Sequence, residues 1–266
     1  MLHVMGILNV TPDSFSDGGR FNGRDLALRQ ALQMVADGAH YIDVGGESTR
    51  PGAAAVSVQE ELDRVIPVLE LIAAESPVAL SVDTCKAAVM REAIKVGVRM
   101  VNDVKALRDD GALAAVAESD KVQVCLMHMQ GEPRTMQQQP SYDDVVAEVG
   151  AFLAQRVSAC EQAGIARERI FLDPGFGFGK SVGHNYQLLR QLEQLQSLGL
   201  PLLIGLSRKS MLGAVIDRPV NERLAASIAA ATIAAMKGAH IVRVHDVRET
   251  VDAMRIVSAT IAGEGI

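Results

Sequence analysis

Residues 171–181 combine a carboxylate, several glycines and a lysine, which are residue types that can bind phosphate groups. A phosphate loop of the G-x-x-x-x-G-K-[ST] type, counted back from Gly179, needs its first glycine at position 174. That position holds Pro174, which has no N–H to donate and a fixed φ. The sequence therefore excludes a phosphate loop here. It leaves Asp173 as a carboxylate at the end of a short apolar run, and Lys180 is interpreted as a solvated loop lysine.

A polar, hydrogen-bonding or soft side chain also ends every other apolar run of the chain. In chain order the eight ends carry Asn9, Asp43, Asp83, Asn102, Met127 with His128, Asp173, Ser207 with Arg208, and Arg243 with His245. One such aspartate is more often a helix N-cap than a catalyst, and Asp103 keeps that interpretation. Eight together indicate a shared site, because parallel strands that close into a barrel bring their carboxyl ends to one face.

The acceptors among these side chains predict a ring-shaped ligand. Asp83, Asn102 and Asp173 lie at strand ends with little positive charge of their own. A carboxylate accepts two N–H bonds side by side, so these residues suit a neutral ring that carries several N–H donors. We expect Lys209 to donate to an oxygen or nitrogen acceptor on the same ring.

The cations predict an anionic tail on that ligand. Arg50, Arg208, Arg243 and His245 surround the rim, and guanidinium groups match phosphate in geometry and charge. The alternative for Arg243 and His245 is a strand end that pairs with surface carboxylates, and the sequence leaves this alternative open. Asn9 offers a neutral oxygen near the cations, which suits a hard cation that keeps most of its waters, as magnesium usually does.

Other chemistries are excluded by spacing. The six histidines form neither a His-Glu-x-x-His pair nor a His-x-His set for zinc. No Gly-x-Ser-x-Gly nucleophile elbow is present. Cys85 follows Asp83 closely, but no base is evident beside it, and a packing role is the preferred interpretation.

Composition narrows the class of protein further. The chain has 266 residues, a net charge of −6 and no tryptophan, which argues against a nucleic-acid partner. Its three cysteines form no C-x-x-C pair, so a reduced, cytoplasmic setting is expected. No signal peptide is expected at the N-terminus, and no apolar run approaches the ~20 residues that span a bilayer, so no membrane partner is predicted.

Hydrophobic periodicity predicts eight strands and eight helices in strict alternation. Strands are expected near 3–8, 40–45, 78–82, 98–101, 122–127, 169–172, 201–205 and 240–244. Helices are expected at about 24–37, 57–74, 85–96, 111–118, 142–163, 184–198, 221–236 and 246–261. This order is typical of a single (β/α)8 TIM barrel, an α/β fold in one domain over residues 1–266. An open doubly wound sheet is the runner-up, but it lacks a Gly-x-Gly-x-x-Gly after the first strand.

Local signals support the alternation. Between a helix and the next strand, where a left-handed residue is wanted, the chain has Gly38, Gly97, Gly164 and Gly238. Residues 37–44 (DGAHYIDV) and 237–244 (KGAHIVRV) echo each other at two such junctions. Two long polar loops, 10–23 and 130–140, are expected to be mobile lids or binding loops.

Two long segments carry a resemblance to a known family. Residues 5–19 (MGILNVTPDSFSDGG) and 42–52 (IDVGGESTRPG) resemble the signature segments of the dihydropteroate synthase family. Shorter segments match at the other strand ends: SVDT at 81–84, VNDV at 101–104, LMHM at 126–129, DPGFGFGK at 173–180, GLSRKS at 205–210 and RVHD at 243–246. The resemblance runs in order along essentially the whole chain. One departure is Cys85, where a serine is expected, and it puts no function in doubt.

The resemblance implies a cytoplasmic, pterin-binding transferase of folate biosynthesis. Such an enzyme joins 6-hydroxymethyl-7,8-dihydropterin diphosphate to 4-aminobenzoate, with magnesium, and gives 7,8-dihydropteroate and pyrophosphate. Breaking the C–O bond to pyrophosphate is the barrier, so a dissociative displacement at the pterin methylene is expected. Members of the family are usually homodimers, and mimics of aminobenzoate such as sulfonamides target them.

The resemblance also implies roles residue by residue. The residues that match contacts to the pterin and its diphosphate are Thr49, Asp83, Asn102, Met127, Asp173, Phe178, Gly205, Lys209, Arg243 and His245. Those that match the aminobenzoate subsite are Phe15, Arg50, Pro51 and Ser210, and Asn9 matches the magnesium ligand. Those expected to be catalytic are Asp83, Asp173, Lys209, Arg243 and His245.

Two alternatives belong to other functional classes. A pterin-binding methyltransferase of the same fold has no use for a diphosphate subsite, so Arg243, His245 and the loop at Thr49 count against it. A non-catalytic pterin-binding barrel is expected to have lost residues from the rim, and none is missing here.

Overall fold

The structure is a computed structural model, and it describes residues 2–11, 19–48, 55–131, 136 and 139–263. Eight parallel strands follow one another around a closed barrel, and the last strand pairs with the first. The predicted (β/α)8 barrel is therefore confirmed, and the open doubly wound sheet is wrong. Closure matters for function because it brings all the carboxyl ends of the strands to one rim.

The eight strands lie within two residues of their predicted bounds. They are β1 His3–Asn9, β2 Tyr41–Gly45, β3 Ala79–Asp83, β4 Met100–Asp103, β5 Gln123–Met127, β6 Ile170–Asp173, β7 Leu202–Ile204 and β8 Ala239–Val244. The helices in the described part are α1 Gly19–Ala36, α2 Val58–Glu75, α3 Ala87–Val96, α4 Ala112–Ala117, α5 Val145–Gln162, α6 Val182–Arg190, α7 Ser210–Ile216, α8 Leu224–Met236 and α9 Val247–Ala262. Short 3-10 helices occupy Arg167–Arg169, Leu192–Leu198 and Val220–Glu222.

Three helix predictions need correction. The predicted helix 184–198 is α6 followed by a 3-10 helix, and a seven-residue helix, α7, was not predicted. Seven residues make two turns, too few for a reliable periodic signal. The first helix begins at Gly19, so it occupies the end of the predicted loop 10–23. The rest of that loop, residues 12–18, lies outside the described residues.

The strands bury both of their faces, as parallel strands between helices must. Alternate residues such as Leu8, Val44 and Val82 point outward into one continuous core with the helices. The residues between them point inward, and the lower part of the barrel is filled by a separate apolar cluster of Met5, Tyr41, Met100, Cys125, Leu203 and Ile241. The polar strand ends therefore stand on an apolar floor.

The echo between residues 37–44 and 237–244 has a shared structural cause. The four predicted junction glycines all have positive φ, between 89° and 100°. After two of them, the next histidine caps the start of the preceding strand. His40 Nδ1 accepts from the Val4 N–H at 3.2 Å, and His240 Nδ1 accepts from the Leu202 N–H at 3.2 Å. The similarity between the two segments therefore reflects a shared role: each histidine accepts a backbone N–H near the start of the preceding strand.

None of the helices in the described part of the chain has the length and apolarity to cross a bilayer.

The second predicted loop, 130–140, is described only in part, and residues 132–135, 137 and 138 lie outside the description. Within the described ends of this loop, the Gln130 side chain donates to the Ser141 carbonyl at 2.9 Å. The role of either loop as a lid stays a prediction.

Candidate active site

Strand register brings four rim positions into one row. Asn9 pairs with Gly45, Gly45 with Asp83, and Asp83 with Asn102, so the ends of β1 to β4 align. Gly45 puts no side chain into this row. A Cβ at this glycine would be in ordinary contact with both neighbours, 3.6 Å from Asp83 Oδ2 and 3.8 Å from Asn9 Oδ1. The register therefore places three predicted site residues in one row, with Asp83 Oδ2 and Asn9 Oδ1 both close to Gly45.

Arg243 links two carboxylates at the centre of the barrel mouth. Its Nε donates to Asp43 Oδ2 at 2.6 Å, and its Nη2 donates to Asp83 Oδ2 at 2.8 Å. Asp43 is fully buried, so the partners of Arg243 are carboxylates of the barrel interior and not of the outer surface. Asp43 was noted at a strand end but given no role. Its position two residues before Gly45 on β2 was the signal, because alternate residues of a strand share one face.

Asp43 also fixes the orientation of Asn102. The Asn102 Nδ2 donates to Asp43 Oδ2 at 3.0 Å. A carboxylate can only accept hydrogen bonds, so the amide nitrogen must face Asp43 and the amide oxygen must face away. Asp43 Oδ1 is buried and has no hydrogen-bond partner among the described residues. The mouth therefore offers oriented acceptors, as the sequence predicted.

Burial changes the acid–base properties of this cluster. It raises the pKa of Asp83 to about 7, and the Arg243 guanidinium opposes the rise. Burial alone lowers the pKa of Arg243, but Asp43 and Asp83 outweigh it and leave the pKa raised. The guanidinium therefore stays charged, and it acts in a low-dielectric setting where each interaction is stronger than in water.

Asp173 and Lys209 form the other side of the mouth. Asp173 Oδ1 accepts from the Gly175 N–H at 2.7 Å, and the carboxylate is buried. Burial raises the pKa of Asp173, and Lys209 opposes the rise. The Lys209 amine donates to the Phe176 carbonyl and lies 4.8 Å from the centre of the Phe178 ring. Burial lowers the pKa of Lys209 to about 8, against the pull of Asp173.

His245 is oriented by a residue to which the sequence assigned no individual role. The Ser207 Oγ lies 2.9 Å from His245 Nδ1 and accepts from the His245 backbone N–H at 3.2 Å. The adjacent Arg208 pairs with Asp246, with Nε to Oδ2 at 3.1 Å. Arg208 therefore shares its charge with a carboxylate beside His245, and its contribution to the rim stays a prediction.

Lys180 is not the solvated lysine that the sequence predicted. Its side chain is buried, and its amine donates to the carbonyls of Gly175 at 2.9 Å and Phe178 at 3.1 Å. The glycines make this possible, because Gly175, Gly177 and Gly179 all have positive φ and fold the chain back over the amine. Lys180 is therefore an internal support of the loop that carries Phe178.

Asp103 and Cys85 lie where structural roles were expected. The Asp103 carboxylate faces away from the barrel mouth and accepts from the Lys105 and Leu107 N–H groups, both at 2.7 Å. It caps a turn after β4. Burial raises the pKa of the Cys85 thiol to about 12, so this thiol is not poised as a nucleophile.

The remaining predicted residues divide into two groups. Met127 and Gly205 are buried at the ends of β5 and β7, and Ser210 is exposed at the first residue of α7. Gly205 packs closely, since a Cβ there would lie 3.9 Å from the Cβ of Arg243. The predicted residues that lie outside the described part are Phe15, Thr49, Arg50 and Pro51.

The donor set fits a hydrated hard cation better than a caged metal. In the described ranges, no group of three or more His, Cys, Asp or Glu side chains is arranged to hold a metal ion. Near Gly45, Asn9 Oδ1 is a neutral hard ligand and Asp83 Oδ2 an anionic one, which also accepts from Arg243. A cation such as magnesium keeps several waters and needs only one or two protein ligands.

Comparison with known proteins gives a consistent result. The family model described as "Pterin binding enzyme" matches residues 5–245. The dihydropteroate synthase of Escherichia coli strain K12 is 58% identical over 262 residues, which cover 98% of this chain and 93% of that protein.

Solved structures agree with the sequence match. A dihydropteroate synthase of Yersinia pestis, in a sulfonamide drug complex, superposes with a TM-score of 0.94 at 55% identity and covers 98% of this chain and 94% of that one. The Xanthomonas albilineans dihydropteroate synthase with 4-aminobenzoic acid has a TM-score of 0.93 at 52% identity, covering 98% and 93%. The similarity therefore extends over the barrel and its rim together.

Proposed function

The chain belongs to the dihydropteroate synthases of the pterin-binding enzyme family, and from that membership we propose how its rim residues divide the work. The enzyme is a transferase of folate biosynthesis that joins 6-hydroxymethyl-7,8-dihydropterin diphosphate to 4-aminobenzoate. The observation that carries this activity is 58% identity over 98% of the chain. Both relatives with solved structures named above are dihydropteroate synthases. They give no support to the pterin-binding methyltransferase or to the non-catalytic pterin-binding barrel.

The pterin ring binds between the two carboxylate groups of the mouth. Asp173 and Asp83 accept ring N–H groups, and Asn102 presents its amide oxygen because Asp43 holds its nitrogen. Lys209 donates to the ring oxygen, and Phe178 covers the ring beside it. Buried carboxylates favour this ligand because hydrogen bonds to charged acceptors are about twice as strong as neutral ones.

The chain's charges suit a dissociative displacement. The attacking aniline is neutral at pH 7 and needs no strong base, so the barrier lies in the C–O bond to pyrophosphate. Asp83 and Asp173 stabilise the cationic pterin as that bond breaks, by preorganised electrostatics. Arg243 and His245 neutralise the leaving group. Among the described residues, Arg243 places two N–H groups on Asp43 and Asp83, and a guanidinium has five to offer.

Four residues outside the described part, together with Ser210, complete this assignment. Thr49 contacts the diphosphate, and the aminobenzoate subsite consists of Phe15, Arg50, Pro51 and Ser210. The support is the match of residues 5–19 and 42–52 to the family's signature segments and the complex of the Xanthomonas relative with 4-aminobenzoic acid. Sulfonamides are expected to compete with aminobenzoate, as the Yersinia complex indicates.

Asn9, together with the diphosphate, would hold magnesium. When bound, the ion supplies charge neutralisation to the leaving group. The Asn9 oxygen opposite Asp83 supports this assignment. Calorimetry with pyrophosphate tests it: Asn9→Ala should remove the enhancement of pyrophosphate affinity by magnesium, whereas an unchanged enhancement would contradict it.

The working form is a cytoplasmic homodimer of one-domain subunits. The support for a dimer is a run of exposed apolar side chains on α7, the 3-10 turn after it and α8. They are Val215, Ile216, Val220, Leu224, Ile233 and Met236, with exposed fractions of 38–63%. The support for a reducing compartment is that Cys85, Cys125 and Cys160 are unpaired. Sedimentation at micromolar concentration should give twice the monomer mass, and Ile233→Glu should give monomer.

The activity is tested by product balance. The protein is mixed with pterin diphosphate, 4-aminobenzoate and magnesium, and pyrophosphate and dihydropteroate are both measured. Equal amounts of the two products are expected. Pyrophosphate without coupled dihydropteroate would contradict the assignment.

A further inference from the structure

One carboxylate joins the two ends of the loop that follows β2. The chain leaves β2 through Gly46 and Glu47, and Glu47 Oε1 accepts from the Val56 N–H at 3.1 Å. Residues 48–55 lie between these two contacts along the chain. Glu47 therefore closes the base of this segment with its own side chain.

The other oxygen of the same carboxylate is held by a lysine from the next βα unit. The Lys86 amine contacts both Glu47 Oε2 and Glu61 Oε2. Lys86 immediately precedes α3, and Glu61 lies on α2 with its side chain 1% exposed. One ammonium group thus ties the loop base to α2 and to the segment that follows β3.

The rest of the loop base is packed against α2. The Arg64 side chain donates to the Gly46 carbonyl at 2.8 Å. Gly46 itself lies so close to α2 that a Cβ would be 2.6 Å from Val65 Cγ2. Gly46 and Glu47 are therefore held in place by α2 and by Lys86.

The ionic contacts persist in this setting because each charge has a partner. A buried carboxylate such as Glu61 is costly unless it is paired and hydrogen-bonded. Burial lowers the pKa of Lys86, but the hydrogen bonds to Glu47 and Glu61 outweigh it and leave the pKa raised. The lysine therefore stays charged, and the link does not depend on pH near neutrality.

We propose that Glu47 and Lys86 are positioning residues for the 4-aminobenzoate subsite. They fix the base of the segment that carries Arg50 and Pro51, and neither has a described contact with the pterin anchors Asn102 and Asp173. This inference rests on the proposed function, because that function assigns aminobenzoate to residues 50 and 51. Loss of the link should weaken aminobenzoate binding and leave the pterin ring in place.

The kinetic test uses Lys86→Met together with Lys86→Met/Glu61→Gln, because the double variant removes the uncompensated buried charge. In both, KM for aminobenzoate should rise about tenfold, the effect of one lost hydrogen bond to a charged group. The Kd of 6-hydroxymethylpterin, which has no diphosphate, should stay within about twofold. Lys86→Arg should restore most of the KM.

The matched control is Arg91→Met, which removes an exposed pair with Glu118 on the same helix, α3. It should leave both constants unchanged. The proposal is overturned if the double variant keeps the aminobenzoate KM of the unmodified enzyme, or if its pterin Kd rises in parallel, which would indicate general damage.

A second measurement does not need activity. Hydrogen exchange at the Val56 amide should accelerate about tenfold in Glu47→Ala and in Lys86→Met, and not in Arg91→Met, since Glu47 accepts the Val56 N–H. Unchanged exchange would overturn the positioning role. If the unmodified protein forms no dihydropteroate, the assigned function fails, and the exchange result still decides whether Glu47 and Lys86 order the loop.

Discussion

The amine of Lys180 lies 2.9 Å from Nδ1 of His128, and both side chains are buried beneath the loop between β6 and α6. Because the lysine also donates to the carbonyls of Gly175 and Phe178, one amine connects this loop to the end of β5. The loop carries Phe178 and begins at Asp173. Its shape, and therefore the proposed pterin pocket, depends on a buried amine that is hydrogen-bonded to the protein itself.

Replacing Lys180 by methionine should destabilise the fold. The carbonyls of Gly175 and Phe178 would lose their donor, and an unsatisfied buried acceptor costs about 1–3 kcal/mol. We expect a loss of about 2–4 kcal/mol in the free energy of unfolding, measured by urea titration. Lys95→Met is the control, because Lys95 is exposed and its pair with Glu92 lies at the surface. Equal midpoints for the two variants would contradict this role.

His128 should make stability depend on pH. Burial lowers its pKa from 6.5 to about 3, and Lys180 adds to the effect. The unfolded chain protonates this ring near pH 6.5 while the folded state keeps it neutral, so its stabilising contribution is lost as pH falls from 6.5 towards 3. Between pH 6.5 and 5, the advantage of the unmodified protein over His128→Asn should shrink by at most ~2 kcal/mol. A constant difference would exclude this linkage.

Two buried aspartates at strand ends should respond differently to the same substitution. Asp173→Asn should weaken pterin binding about 10- to 100-fold, because an amide cannot accept two N–H groups as a carboxylate does. Asp103→Asn should lower stability but leave pterin affinity unchanged, since that carboxylate caps the turn at Lys105 and Leu107. Calorimetry with a pterin and thermal denaturation separate the two effects. Equal affinities for the two variants would remove Asp173 from the pocket.

Alanine at Gly175 should destabilise the protein far more than alanine at Gly97, a glycine that also has positive φ. A Cβ at Gly175 would lie 1.8 Å from the His128 carbonyl oxygen, whereas a Cβ at Gly97 would meet nothing within 4 Å. Both have positive φ, so alanine at Gly97 measures backbone strain alone, about 1 kcal/mol. Gly175→Ala should lower the free energy of unfolding several times more than Gly97→Ala does, and it should also reduce pterin affinity. Similar melting temperatures for the two variants would show that the loop can move aside.

The sequence predicted the barrel because its signals are local. Strand alternation, the junction glycines and the polar strand ends can each be recognised within a few residues, as at Gly38 and at Asp83. The pairing of Arg243 with Asp43 cannot, because 200 positions separate them and they meet only when β8 closes against β1. Nothing in the pattern of the Arg243 segment indicates that its partner is buried.

Lys180 was mispredicted for the same physical reason. A lysine among glycines is usually solvated, and only the positive φ values of Gly175, Gly177 and Gly179 turn the chain over the amine. His128, its partner immediately after β5, is 52 positions away. The role of Ser207 beside His245 was also missed, because a single hydroxyl gives no sequence pattern. The seven-residue helix α7 was missed because two turns are too short for a helical periodicity to be recognised.

The apolar cluster that fills the lower part of the barrel closes the site from below. Met5, Met100 and Cys125 put three polarisable sulfur atoms beneath the charged mouth, and Leu203 and Ile241 close the remaining space. Water that an incoming ring displaces cannot pass through this cluster, so it must leave through the barrel mouth by which the ring enters. Sulfoxidation of either methionine would enlarge and polarise this floor from below. Such oxidation would alter the pterin site without changing any residue assigned to substrate binding.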